Sequence, residues 1–222
     1  LAATECRFFE NASMRALGVT LIEHGDDFQE ASEHAGMLAQ RDGLHRVPSF
    51  HRDLVRGVAT AYVEFFDAMH ATPPDVLFVP IGLGSGFAAA TVARSHCRMS
   101  TRIIGVVSSH ATAYRDSFQA RRPMESPVST RLADGMACRT PVPEALEVIQ
   151  READDVIAVS DDEVAHAMRA LFIDTHNVAE GAGAAALAAA LQQQDRWRGG
   201  TVGIALTGGN VDTGMFAGVL AG

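Results

Sequence analysis

Two glycine-bearing stretches hold most of the chemistry this sequence could perform. In "DVLFVPIGLGSGFAAATVAR", residues 75–94, a β-forming run from Val76 to Val79 stops at Pro80. Gly82, Gly84 and Gly86 follow, and an alanine-rich, helix-forming segment begins directly after them. A strand, a glycine turn and a helix start in succession gather exposed backbone N–H groups at the positive end of a helix dipole. An anion is the natural guest there. The second stretch, "TVGIALTGGN" at 201–210, reads as a strand ending in Thr207, Gly208 and Gly209.

Several familiar anion sites are excluded residue by residue. A dinucleotide fingerprint would need glycine at position 87, where Phe87 stands, and an acid closing the next strand, where Ser108 and Ser109 stand. A P-loop needs a lysine, and all 18 basic residues of this chain are arginine. The GxSxG elbow of a serine hydrolase fails at Ser85, which has Leu83 and Phe87 two residues away on either side. The loop alone leaves two readings open: a nest for a single phosphate, or a tight glycine turn with no ligand.

Composition narrows the partners. A net charge of −9 opposes nucleic acid and anionic membrane surfaces, and no apolar run reaches the length of a membrane span. Cys6, Cys97 and Cys138 are odd in number, far apart and never paired as CxxC, which suits reduced thiols in a cytoplasmic protein. The nine histidines take no metal-ligand spacing with one another, so no metal site is expected. With 222 residues, 47% of them apolar, the chain suits one large domain or two small ones.

The elements that must position the two loops alternate along the chain. "GVTLIEHG" (18–25) reads as a short strand, 26–43 as an amphipathic helix, "HRVPS" (45–49) as a strand end and 53–70 as a second amphipathic helix. "ATPPD" (71–75) is the best linker, because its paired prolines stop a helix. Beyond it come strands at 76–79, 102–109, 154–160 and 201–210. Ser160 and Glu163 form a capping box opening a helix, and "EGAGAAALAAALQQQ" reads as an alanine helix. The region 110–143 reads as less regular. Strands separated by helices predict an α/β fold with a mostly parallel twisted sheet covered on both faces, whose ligands sit at the carboxyl ends of the strands.

Six pieces in order, "MRALGVTLIEHGDDFQEA", "VPIGLGSG", "RLADGMA", "VSDDEVAHAMRALF", "VAEGAGAAALAA" and "LTGGNVD", resemble the pyridoxal-phosphate enzymes of the tryptophan-synthase-β type, and within them the serine/threonine dehydratases. The resemblance runs from about Asn11 to the C-terminus. It implies two lobes, a partial small α/β lobe over 1–70 and the C-terminal part of a large cofactor-binding lobe over 71–222. It also implies pyridoxal 5'-phosphate as cofactor. Gly82, Leu83, Gly84, Ser85 and Gly86 would cradle its phosphate, Thr207 would place a hydroxyl against the pyridine nitrogen, Glu180 would stand near the ring, and Gly208 would let the backbone pass beneath it. A hydroxyl partner leaves that nitrogen unprotonated, a weaker electron sink suited to losing an α-proton and then a β-hydroxyl.

The departures count equally. The family's Schiff-base lysine and its substrate-carboxylate loop lie upstream of the matching region, and no lysine is present here. Racemase-like members bind a divalent cation at positions matching Val107, Ala111 and Ala113, none of which offers a side-chain ligand. The expectation is therefore the C-terminal two-thirds of an ammonia-lyase that converts a β-hydroxy amino acid, threonine or serine, into a 2-oxo acid and ammonia. It is N-terminally incomplete, inactive by itself, cytoplasmic and a homo-oligomer. The alternative is a non-catalytic truncated paralogue that binds a phosphate ligand or a partner subunit.

Overall fold

A computed structural model describes residues 8–26 and 28–222. They form α1 (Phe8–Ala16), α2 (Phe28–Asp42), α3 (Arg52–Ala68), β1 (Val76–Pro80), α4 (Ser85–His96), β2 (Arg102–Ser108), α5 (Ala113–Ala120), α6 (Pro143–Glu152), β3 (Asp155–Val159), α7 (Asp161–Thr175), α8 (Gly181–Gln192), β4 (Val202–Ile204) and α9 (Thr213–Ala221). One 3₁₀ turn lies at Asp134–Met136. The strands make one sheet in the order β3-β2-β1-β4, and every pairing is parallel.

Parallel strands buried on both faces need apolar side chains on both, and the sequence supplies them. Leu77, Val79, Ile103, Val107 and Val156 point into one core, filled from outside by Tyr62 and Phe66 of α3, Phe87 of α4 and Leu146 and Ile149 of α6. Val76, Phe78, Ile104, Val106 and Val159 point into the other, covered by Val164, Met168 and Leu171 of α7 and the alanines of α8. Those alanines and Gly181 and Gly183 leave α8 almost without side chains on its inner side. The helix can therefore lie close across β1, β2 and β3.

Three strand expectations change. Residues 18–25 hold no strand, only an isolated bridge residue at Glu23, and Leu17, Val19 and Ile22 are exposed; a strand needs a partner ladder to satisfy its backbone, and no strand among the described residues runs beside this one. Residues 45–49 are also irregular, with Pro48 lacking an N–H and Val47 exposed. At the far end only Val202–Ile204 are paired. One further bond, Ala205 N–H to the Phe78 carbonyl at 3.0 Å, ends the ladder. The chain then turns toward α8, where the Gly208 carbonyl accepts the Glu180 N–H at 3.1 Å.

Two compact units divide the chain, residues 1–48 with 212–214 and residues 49–211 with 215–222. The division falls at Pro48–Ser49, ahead of the linker at 71–75. Helix α3 explains the shift: Val55, Ala59, Tyr62 and Phe66 are buried in the same core as α4, so α3 goes with the sheet. The irregular region also contains α5 and, at its end, α6, opened by Pro143 at the first helical turn. Helices α4 and α6 are joined by Arg94 Nη2 to Glu152 Oε2 at 2.6 Å, a half-buried pair. The neighbouring Arg151 guanidinium, aided by Arg94 and opposed by burial, holds the Glu152 carboxyl below its ordinary range.

The capping box of α7 is complete. Ser160 Oγ accepts the Glu163 N–H at 3.3 Å, and Glu163 Oε2 accepts the Ser160 N–H at 2.7 Å. Burial works against the Glu163 charge, but the Ser160 N–H and hydroxyl and the Gln192 amide outweigh it, so this carboxyl titrates below its ordinary range. Its folded pKa lies below the unfolded one. Its contribution to stability is thus present above the ordinary carboxylate range and is lost as pH falls through the folded value. Ser160→Ala should cost about 1 kcal/mol at neutral pH. In urea denaturation, the gap between the parent and Glu163→Gln should shrink as pH falls from 7 to 3.

Candidate functional site

The carboxyl ends of β1 and β4, together with two loops that follow β2 and β3, meet within the larger unit. After β1 the backbone reaches Gly84, the N-cap of α4, at φ +92°, a left-handed conformation that glycine adopts without steric cost. Ile81 N–H still pairs with Val106, and Ala88 N–H begins the regular bonding of α4. Between them, the N–H groups of Gly82, Leu83, Gly84, Ser85, Gly86 and Phe87 have no protein acceptor among the described residues. Six successive unpaired donors, three of them opening a helix twelve residues long, form a concentrated field of positive partial charge. The donor set fits an oxyanion with several acceptor oxygens, and a phosphate monoester is the simplest such group.

Close packing of backbones places the other loops around this cradle. A Cβ at Gly82 would collide with the carbonyl oxygen of Gly135, so the 3₁₀ turn rests directly on the glycine loop. A Cβ at Gly135 would in turn stand 2.9 Å from Ala182 Cβ and 3.8 Å from Glu180 Oε1. Asp134 serves this turn from within, its Oδ1 accepting the Gly135 N–H at 2.8 Å. The turn is bolted to α7: Thr130 Oγ1 donates to Asp161 Oδ1 at 2.8 Å, and the Arg131 N–H donates to Asp161 Oδ2 at 3.0 Å.

Glu180 is the N-cap of α8, and its side chain does not cap that helix. Its carboxylate lies over Gly208, where a Cβ would stand 2.8 Å from Oε1. The structure thus gathers Gly82, Gly135, Glu180 and Gly208 into one series of contacts. Ser85 is half-buried and Thr207 is exposed, and no contact of either hydroxyl with the series is among those seen.

Two tyrosines complete the surroundings. Tyr62 of α3 is buried, with its Oη 3.7 Å from the position a Gly86 Cβ would take, and burial pushes its phenol up to about 12. Tyr114 of α5 is buried behind the loop; its Oη donates to the Leu83 carbonyl at 2.9 Å and accepts the Val142 N–H at 3.0 Å. Its bonds span 31 and 28 residues, and no local pattern signals them. Among the described residues, no group of three or more histidine, cysteine, aspartate or glutamate side chains is placed to hold a metal ion. No helix among them is long and apolar enough to cross a membrane.

Residues 9–208 match the family model described as pyridoxal-phosphate dependent enzyme. The chain belongs to the pyridoxal-phosphate-dependent enzyme family. Within it, the chain is 31% identical over 205 residues to the L-threonine ammonia-lyase of Thermotoga maritima, covering 91% of this chain and 50% of that one. It is 33% identical over 201 residues to the L-threonine ammonia-lyase of Geobacter sulfurreducens, covering 89% and 49%. Among solved structures, the processed form of threonine deaminase isoform 2 from Solanum lycopersicum superposes with a TM-score of 0.87 at 25% identity, over 99% of this chain and 65% of that chain. The chain therefore spans about half the length of the two ammonia-lyases, and its fold is the tryptophan-synthase-β-like α/β fold of these family members.

Gly84 and Gly86 separate the demands of this loop. Gly84→Ala puts a side chain at φ +92° and its Cβ 2.7 Å from Ala145 Cβ. It should cost about 1–3 kcal/mol in chemical denaturation. Gly86→Ala meets only Tyr62 Oη at 3.7 Å, an ordinary contact, and should be neutral or stabilising by up to about 1 kcal/mol, because alanine favours the helix.

Proposed function

We propose that this chain is the phosphate-holding, C-terminal part of a pyridoxal-phosphate-dependent ammonia-lyase acting on a β-hydroxy amino acid, threonine or serine. The observation that carries the reading is the run of six unpaired N–H donors from Gly82 to Phe87, inside the matched family segment. The names of the two ammonia-lyases at 31% and 33% identity support the substrate class.

In this reading Gly82, Leu83, Gly84, Ser85 and Gly86 hold the cofactor phosphate, with Ser85 adding a hydroxyl to the backbone donors. Thr207 donates its hydroxyl proton to a neutral pyridine nitrogen, and Gly208, without a side chain of its own, lets the backbone pass beneath the ring. Glu180, held above Gly208 by the bond from its own N–H to that carbonyl, sets the charge at the ring's edge. The bound cofactor supplies an electron sink for the pair released when the substrate loses its α-proton. Arginine stays protonated and is no substitute for an amine nucleophile, so covalent attachment is expected from a lysine outside these 222 residues. We further propose a homo-oligomer in the cytoplasm.

The absence of lysine also favours a second reading, a chain that binds a phosphate group without chemistry of its own. Titration with pyridoxal phosphate and then borohydride treatment tests both. Reversible binding, displaced by inorganic phosphate and leaving no reduced cofactor on any internal side chain, is the expected outcome. A covalently labelled internal peptide would overturn the assignment of the missing amine.

Thr207 gives a sharper check in a protein that also carries the lysine-bearing segment. Thr207→Ser should leave cofactor affinity and the yield of 2-oxo acid nearly intact. Thr207→Ala removes the partner of the ring nitrogen, a loss of about 1–3 kcal/mol, and should weaken binding as well as turnover. Thr207→Asp should protonate the ring and raise side products. Equal rates and product ratios in all three would remove Thr207 from the cofactor.

A further inference from the structure

The glycine loop has a weakness that its unpaired donors do not cure. Gly82, Gly84 and Gly86 allow many backbone conformations of similar energy, including those that turn a carbonyl toward the anion. A carbonyl oxygen in the cradle would repel the phosphate oxygens and remove a donor at once. Something must fix the loop from outside. We propose that Tyr114 is the positioning residue that does so, holding the Leu83–Gly84 peptide with its carbonyl turned away from the anion.

The geometry supports this in three steps. Peptides are planar and trans, so the carbonyl of Leu83 and the N–H of Gly84 point in opposite directions. The Tyr114 hydroxyl holds that carbonyl at 2.9 Å on the protein side, which turns the Gly84 N–H the other way. Second, the hydroxyl has no freedom to do otherwise. Its oxygen already accepts the Val142 N–H at 3.0 Å, so its single proton is directed to Leu83. Third, the anchor is rigid. The Tyr114 side chain is 1% exposed, Val142 is the N-cap of α6, and the Arg94–Glu152 pair ties α6 to α4, the helix the loop opens. Burial, reinforced by the nearby Cys138 thiol and only partly relieved by the Val142 N–H, pushes the phenol above its ordinary range. Tyr114 therefore remains a donor at any working pH. Tyr62, the other tyrosine, is comparably buried, yet no hydrogen bond of its hydroxyl is seen among the described residues. It provides a natural control.

The inference rests on the phosphate-cradle reading, and the experiment separates the two. Dissociation constants of pyridoxal phosphate and of pyridoxal, which lacks the phosphate, are measured by calorimetry for the 222-residue chain, for Tyr114→Phe and for Tyr62→Phe. In the parent, the phosphate should strengthen binding. Tyr114→Phe should lose about tenfold of that advantage, the size of one hydrogen bond's worth of affinity, with pyridoxal affinity unchanged. Tyr62→Phe should keep the full advantage. An unchanged ratio in Tyr114→Phe overturns the role of Tyr114 and leaves the cradle standing. No phosphate advantage in the parent overturns the cradle, and this inference with it. Should Tyr114→Phe fail to fold, ¹³C-tyrosine NMR of Tyr62→Phe decides, because its single tyrosine resonance is Tyr114. Inorganic phosphate should shift that resonance if the hydroxyl holds the loop, and an unmoved resonance at phosphate saturation overturns the proposal.

Discussion

Six successive backbone N–H groups without a protein partner among the described residues are the constraint around which the rest of this structure is arranged. Folding exchanges water for protein partners at nearly every backbone polar group, and a run from Gly82 to Phe87 that gives up that exchange must be supported by its surroundings. The parallel sheet places the run at a carboxyl end, where the helix dipole of α4 adds to it. The turn at Gly135 supports it from one side and the Tyr114 hydroxyl from another. The two apolar cores hold these supports in place. Leu77 and Val79 of β1 share one core with Tyr114, Leu146 and Ile149, so the strand that ends in the loop and the helices behind it are packed as one body.

Much of this was legible in the sequence, for identifiable reasons. Strand β1 and most of β2 are apolar runs of the form taken by strands buried on both faces, β3 at the sheet edge is a shorter apolar run after Asp155, and each lies within about two residues of its expected bounds. The Ser160–Glu163 capping box is a local device whose donors and acceptors lie three residues apart, so spacing alone revealed it. The strand at 201–210 was drawn too long because a β-prone composition says nothing about where a ladder ends. The ladder ends at the Ala205 N–H to Phe78 bond, and the chain then turns to meet Glu180, a contact between residues far apart in sequence. Residues 18–25 failed for the complementary reason: a strand-like pattern is realised only beside a partner.

The site shows the same division. Glycine spacing pointed to the loop whose N–H groups are unpaired, because what matters there is the backbone and glycine is the residue that frees it. The contacts joining Gly82 to Gly135 and Glu180 to Gly208 are consequences of small residues meeting across loops, and a single sequence does not show which small residues meet. Tyr114 was the least legible. Its hydroxyl serves two backbone groups about thirty residues distant, and a tyrosine in the first turn of a short helix carries no local mark of that duty.

The arginine-only basic set gives the chemistry its shape. Eighteen guanidinium groups can attract and orient anions, but each stays protonated and none can attack a carbonyl carbon as a free amine. Holding a phosphorylated aldehyde and attacking its carbon are therefore tasks for different groups, and a guanidinium suits only the first. The separation is physically reasonable. Phosphate binding draws on backbone donors that a rigid fold fixes in advance, and pre-formed donors lose little entropy when the ligand arrives. Covalent attachment draws on one side chain whose pKa must be lowered by its surroundings before it reacts. In the function proposed above, affinity would reside in the backbone from Gly82 to Gly86 and reactivity in a side chain that can give up its proton.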